Sequence, residues 1–433
     1  MERLTELAKM ILTEAQSLGA DYAQCEVSES EKKEFNVDGG RFSLMRTLFD
    51  RGVSITVLKE QRKGSVHINR FDEAAVRAAV AESLAACESA EPDEAWEFCS
   101  EPGEQSFTDG CPDCDAEALF RRTRELLQDV NERHPKIMME QMITEHDGEK
   151  CVYMNTAGVV YRTASGCYSF ELMYSAHEGE KGSSFYGSSV MLKDLDRRII
   201  DCALIERELS DVEKQIDAKP LQGKFVGTVV LAPMALGEIV LNTVSNSFLS
   251  DSSLIDGTSV WKDKLGETVA DASITLSLAP RSPDVVCGQR YTGEGYPAED
   301  FDVIRDGVLR SFLLSQYGAN RVGGVRAPGS GSNVVMAPGE KSLEEIVSGI
   351  EKGILVMRFS GGEPAPSGEF SGVAKNSFLI ENGRVTDALT ETMISSCVPD
   401  MLKNVRAVSS DVLKDGTMVL PYVAFEGVTV SGK

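Results

Sequence analysis

Residues 353–411 read GILVMRFSGGEPAPSGEFSGVAKNSFLIENGRVTDALTETMISSCVPDMLKNVRAVSSD, and the fold of the chain is decided here. Ile354, Leu355, Val356 and Met357 predict an apolar strand that runs into a Gly/Pro/Ser loop over residues 361–372. A β-hairpin follows, turned at Asn382-Gly383, because Asn-Gly between alternating apolar runs is the strongest local signal for a type I′ turn. A short helix over residues 401–405 closes the segment.

Upstream of this block, from Lys224, the chain is β-rich. KFVGTVVLAP reads as a buried strand. MALGEIVLNTVSNSFL reads as a helix, with Leu236, Ile239, Val240 and Val244 spaced for a core face. Short strands with turn residues come next, including a hairpin about Asp306-Gly307, then a helix near residues 342–349 and a closing strand in MVLPYVAFEGVTV. The first half differs. Leu4, Leu7, Ala8, Ile11, Leu12, Ala15 and Leu18 form one helical stripe, and alternating strands follow around Cys25, Val37 and Ile55. Residues 88–113 are acidic, aperiodic and Pro/Gly-bearing, which predicts an exposed connection. A helix over 115–131, a meander over 136–192 with turns at Asp147-Gly148 and near Gly158 and Gly179, and a charged helix over 194–214 complete this half. The expected fold is α+β in two domains: residues 1–218, hairpins and sheet with flanking helices, and residues 219–433, β-rich.

The 68 acidic and 44 basic residues give a net charge of −24. Such a field repels phosphate backbones, and Arg121-Arg122 and Arg197-Arg198 are pairs rather than a basic patch, so no nucleic-acid partner is expected. No apolar run approaches a membrane span, and the N-terminal stretch lacks a signal-peptide core, so a cytoplasmic protein without a membrane partner is expected. Of the ten cysteines only Cys111-Pro-Asp-Cys114 are closely spaced, and without a second such pair they read as free thiols.

The order strand, SGEFSGVAKNSFLIENG, ETMISSCVPDMLKN resembles the C-terminal domain of the TldD/PmbA family, metallopeptidase-like proteins long labelled modulators of DNA gyrase. GADYAQCEVSESEKKEFNVDGGRFSL is similar to that family's opening hairpins, and GEGYPAEDFDVIRDGVLRSFLLSQYGANRVG to its central hairpin and helix. The resemblance implies that zinc-bearing members carry H-E-x-x-x-H on the helix after the first strand of the second domain, with a C-terminal cysteine as third ligand. Imidazoles and a thiolate hold the metal while the glutamate takes a proton from bound water. In this chain the matching positions are Gly237, Glu238 and Asn242, so the glutamate is kept and both imidazoles are gone. No histidine follows His177, and SSDVLKDGTMVLP holds no cysteine. The expectation is a chain with no zinc, no other cofactor and no catalytic residues of its own.

The resemblance further implies a PmbA-like (TldE-like) subunit that pairs with a zinc-bearing TldD-like subunit, or with itself, in a peptidase acting on unfolded or extended peptides. Gly361, Gly362, Ser367, Gly368 and Phe370 are the candidate loop for peptide or partner, since glycine-rich backbone beside a strand edge admits another chain closely. Two other readings stand beside it: an independent hydrolase built on Glu238 with Asp251, Asp256 or Asp263, and a homodimeric peptide-binding scaffold. His146 and His177 read as turn residues, and Cys397 as a buried or capping thiol at a helix start, with a dipole-activated thiolate as the alternative.

Overall fold

The computed structural model describes residues 1–330, 333–361, 364–390 and 392–433. Its first sheet is built from β1 (Tyr22–Asp38), β2 (Arg41–Lys59), β3 (Arg62–Ile68), β4 (Gly103–Gly110), β5 (Ile137–Asn155) and β6 (Val159–Glu178). They lie in the order β3-β2-β1-β5-β6-β4, and Tyr186–Leu192 also pairs with β6. The alternation of β1 and β2 puts Cys25, Val27, Val53, Ile55 and Val57 on one face, where Leu4, Ala8 and Ile11 of α1 (Glu2–Ser17) and Val76 and Val80 of α2 (Glu73–Ser89) cover them. The other end of the sheet, with Phe35, Val37, Met142 and Phe170, packs on α3 (Ala116–Arg133) and α4 (Ile205–Lys214).

The second sheet runs through residues 219–431, mixed in direction. At its centre Lys224–Leu231 pairs in parallel with Lys352–Val356 and antiparallel with the final strand Val419–Ser431. Its second half, Thr228–Leu231, is buried on both faces, which is why the sequence there is apolar apart from Thr228. Val230 joins the core shared with α3 and α4, together with Leu355, Tyr422 and Ala424. Val229 and Leu231 face a separate core with Leu236, Ile239, Phe248 and Trp261. The α+β class is therefore as the sequence implies. The turns at Asn382-Gly383 and Asp306-Gly307 carry positive φ at both residues and close two-residue hairpins, as expected.

Four local expectations are corrected. The ends of the expected 361–372 loop belong to paired strands: Arg358–Gly361 pairs antiparallel with Glu369–Lys375, Gly361 opposite Gly372, while residues 364–368 lie outside any strand. The Phe359 ring lies over that glycine pair, and a Cβ on Gly372 would come 2.3 Å from it, so these glycines make room for an aromatic ring. The short helix spans Val398–Lys403, with proline in its first turn, and Val405 already belongs to the next strand. Residues 88–113 contain β4, a polar edge strand held to β6 by backbone pairing and so invisible to hydrophobic periodicity.

Asp147-Gly148 is not a turn either but lies inside β5. His146 is therefore buried in the sheet, with Nε2 2.7 Å from the carbonyl of Cys111 and its ring against Tyr168. A Cβ on Gly148 would sit 2.7 Å from the Pro112 carbonyl and 3.1 Å from His146, which explains a glycine mid-strand. Gly148→Ala is expected to cost about 1–3 kcal/mol in denaturant unfolding, the range for overpacking a closed site. An unchanged midpoint would show that the 111–113 segment yields freely.

Candidate functional site

The helix over residues 233–248 starts at Pro233, whose fixed φ and missing N–H suit a first helical turn. It then departs from α geometry: Gly237–Leu241 and Val244–Phe248 are wound as π-helix. The backbone N–H of Asn242 bonds to the carbonyl of Gly237, five residues back. In an α-helix residues five apart point about 140° away from each other. The wider turn brings positions 237 and 242 onto one side, with Glu238 between them, and π-turns of this kind recur at functional sites.

Gly237, Glu238 and Asn242 all line one cavity of 520 Å³. Its opposite wall comes from the first half of the chain, Gly187, Ser188, Ser189 and Glu208, and from the C-terminal segment, Leu413, Asp415 and Met418. That segment is where the resemblance puts the third metal ligand. Among the described residues no group of three or more His, Cys, Asp or Glu is placed to hold a metal ion.

Three carboxylates line the cavity, Glu208, Glu238 and Asp415. Glu238 is exposed at the cavity wall, and its Oε2 accepts the N–H of Phe359 at 2.6 Å. Burial raises its pKa, an effect the Phe359 N–H and the nearby Arg358 guanidinium oppose. Glu208 is buried, accepting from Ser188 Oγ at 2.5 Å and from the Tyr186 hydroxyl at 3.3 Å. Burial pushes its carboxyl up to about 7, the two hydroxyl donors pull it back, and Asp211 and Asp415 add repulsion. Glu208 was missed from sequence, although its signal was present. It occupies a position of the apolar stripe Ile205, Leu209, Val212 of α4, where a carboxylate must be buried.

The remaining candidates are distributed differently. Phe370 is buried and packs edge-on against Phe359 at 5.7 Å. Gly368 (φ 89°) makes the hairpin turn against Pro399 and Phe248, and the Ser367 carbonyl takes the Cys397 thiol at 3.7 Å. Gly362 lies outside the described residues. The strand Glu369–Lys375 is paired on both sides, whereas Arg358–Gly361 is paired only with it among the described residues. The N–H of Phe359 points out of this hairpin to Glu238, so the free edge of Arg358–Gly361 faces the cavity glutamate. Asp251, Asp256 and Asp263 do not line this cavity, and Asp251 instead accepts from the backbone and hydroxyl of Ser315. Cys397 stands at the helix start, half-buried and without a side-chain capping bond, and burial raises its thiol, which speaks against the activated alternative.

Sequence models of the PmbA/TldA metallopeptidase C-terminal domain and of PmbA/TldA metallopeptidase domain 1 match residues 223–432 and 24–87. A metalloprotease of Methanocaldococcus jannaschii is 31% identical over 209 residues, 45% of this chain and 46% of that protein. The chain thus spans about half the length of that relative. A metalloprotease PmbA homolog of Haemophilus influenzae is 22% identical over 88% of this chain and 86% of its own. In structure the chain is similar to TldE from Thermococcus kodakarensis, with a TM-score of 0.88, 21% identity, and coverage of 98% of this chain and 100% of that one.

Proposed function

Because this chain belongs to the TldD/PmbA family, we propose that it is the zinc-free, PmbA-like kind of subunit. On this reading it forms part of a peptidase chamber for unfolded or extended peptides, while a zinc-bearing TldD-like partner supplies the metal. The observation that carries the proposal is the donor set at the cavity. Gly237 has no side chain, Asn242 offers a neutral amide, and Glu238 already binds a backbone N–H. Zinc prefers imidazole and thiolate donors, and this set does not fit it. The free edge of Arg358–Gly361 beside Glu238 supports a substrate role, since an extended peptide can add to an unpaired strand.

The partner reading rests on β2. Its distal half, residues 41–51, is exposed on both faces and among the described residues pairs only with β1, yet it carries Phe42, Leu44, Met45, Leu48 and Phe49. Met45 is 77% exposed and Phe49 76%, an apolar edge of the kind that a second subunit covers. Phe49→Asp is expected to leave the fold intact and to weaken assembly by about 2 kcal/mol, roughly thirtyfold in Kd, by analytical ultracentrifugation. Equal assembly by the variant would move the interface elsewhere. The proposal as a whole is tested by metal analysis and peptide cleavage, with and without a co-expressed zinc-bearing relative. The expected result is zinc and cleavage only in the pair. Stoichiometric zinc together with cleavage in the chain alone would overturn it.

A further inference from the structure

The two halves of the chain meet at a pair of thiols. Cys167 lies in β6 of the first sheet, and Cys287 in the long connection between Leu276–Leu278 and Phe301–Arg305 of the second. Cys287 holds φ 51°, the left-handed region that a side chain occupies only at a cost. This conformation accompanies a turn toward the first sheet. The Cys287 sulfur donates to the Gly166 carbonyl at 3.4 Å, which sets it beside the next residue, Cys167, close enough for each thiol to shift the other's ionisation. Two glycines clear the space. A Cβ on Gly110 would stand 3.0 Å from the Cys287 sulfur and 2.1 Å from the Gly166 carbonyl, and one on Gly166 would meet the Cys111 carbonyl at 2.1 Å. An ion pair between Arg290 and Asp109 spans the same seam. Both thiols are half-buried, whereas Cys25, Cys87, Cys99, Cys151 and Cys202 are buried.

We propose that Cys167 and Cys287 are a dithiol modification site that a hydroperoxide converts to a disulfide, stapling the two sheets together. With hydrogen peroxide, the Cys287 sulfur attacks one peroxide oxygen and the O–O bond breaks. The sulfur is oxidised to a sulfenic acid, and the displaced oxygen leaves as water with the Cys287 proton. The Cys167 sulfur then attacks that sulfur, the S–S bond forms and the S–O bond breaks, and the hydroxyl leaves as a second water with the Cys167 proton. Two thiols are oxidised and one peroxide is reduced. The order of attack follows from the surroundings: the adjacent Cys167 thiol, with the Arg290 guanidinium nearby, favours the Cys287 thiolate and holds that thiol below its usual range despite burial. Burial instead pushes Cys114 up to about 11. The staple joins the same two halves that wall the cavity of Glu208 and Glu238.

The test is to treat the reduced, desalted chain with hydrogen peroxide, alkylate the remaining thiols, and map peptides without reduction. The expected result is one peptide pair cross-linked through 167 and 287 and loss of these two alkylatable thiols, both reversed by dithiothreitol, with a higher melting temperature in the oxidised form. Cys167→Ser is expected to stop at a Cys287 sulfenic acid trapped by dimedone. Cys287→Ser, run in parallel, is expected to leave Cys167 reduced. A bond between Cys111 and Cys114 instead, or wild-type Cys287 overoxidised while Cys167 stays alkylatable, would overturn the proposal.

Discussion

Glu208→Gln is expected to stabilise the chain by about 3 kcal/mol at pH 8 and to leave it unchanged near pH 4, because the folded state holds the carboxyl proton to about 7 against an ordinary 4.5. The physical cause is the loss of water around a carboxylate whose two donors, Ser188 and Tyr186, do not replace its full hydration. The folded chain binds this proton more tightly than the unfolded chain does. The wild type should therefore be most stable below the ordinary carboxyl range, lose stability as pH rises from there to about 7, and carry the full penalty above. Glutamine never ionises; its oxygen keeps one of these hydrogen bonds, and its NH2 donates to the other hydroxyl. Urea unfolding of both proteins at the two pH values measures the difference. A variant no more stable than its parent at pH 8 would mean that water or a counter-charge reaches the buried carboxylate.

Restoring side-chain donors to the cavity should produce the other large effect. Gly237→His with Asn242→His places two imidazoles on the wall that the π-turn already shapes, and the position of a Cβ on Gly237 has nothing within 4 Å. With Met418→Cys from the C-terminal wall, the chain is expected to bind zinc at least about a hundredfold tighter than its parent, because imidazole and thiolate replace donors zinc does not favour. Equilibrium dialysis with zinc, read by metal analysis, checks this, and each single substitution should gain far less. If the triple variant holds no more zinc than the parent, the three positions do not converge and the motif register is wrong.

How legible these features were depends on which force fixes each element. The buried half of the central strand, Thr228–Leu231, and the Asn382-Gly383 turn were readable because burial on both faces and positive φ leave local signatures. β4 and the hairpin through Gly361 and Gly372 were not, because polar and glycine residues paired through their backbones show no periodicity. Positions 237, 238 and 242 could be named from the motif, but that they share a wall depends on a π-turn, which local composition does not announce. Asp147-Gly148 imitated a turn since the crowding that demands Gly148 comes from Pro112, distant in sequence.

The place of Val419–Ser431 in the second sheet bears on synthesis. The strand that flanks Lys224–Leu231 on one side follows all the other strands of this sheet in sequence, so the sheet stays incomplete until residues 419–431 have left the ribosome. All strands of the first sheet emerge well before it. A nascent chain would thus present its apolar β2 edge while its own C-terminal half is still unpaired, and a companion subunit or a chaperone could engage it there first.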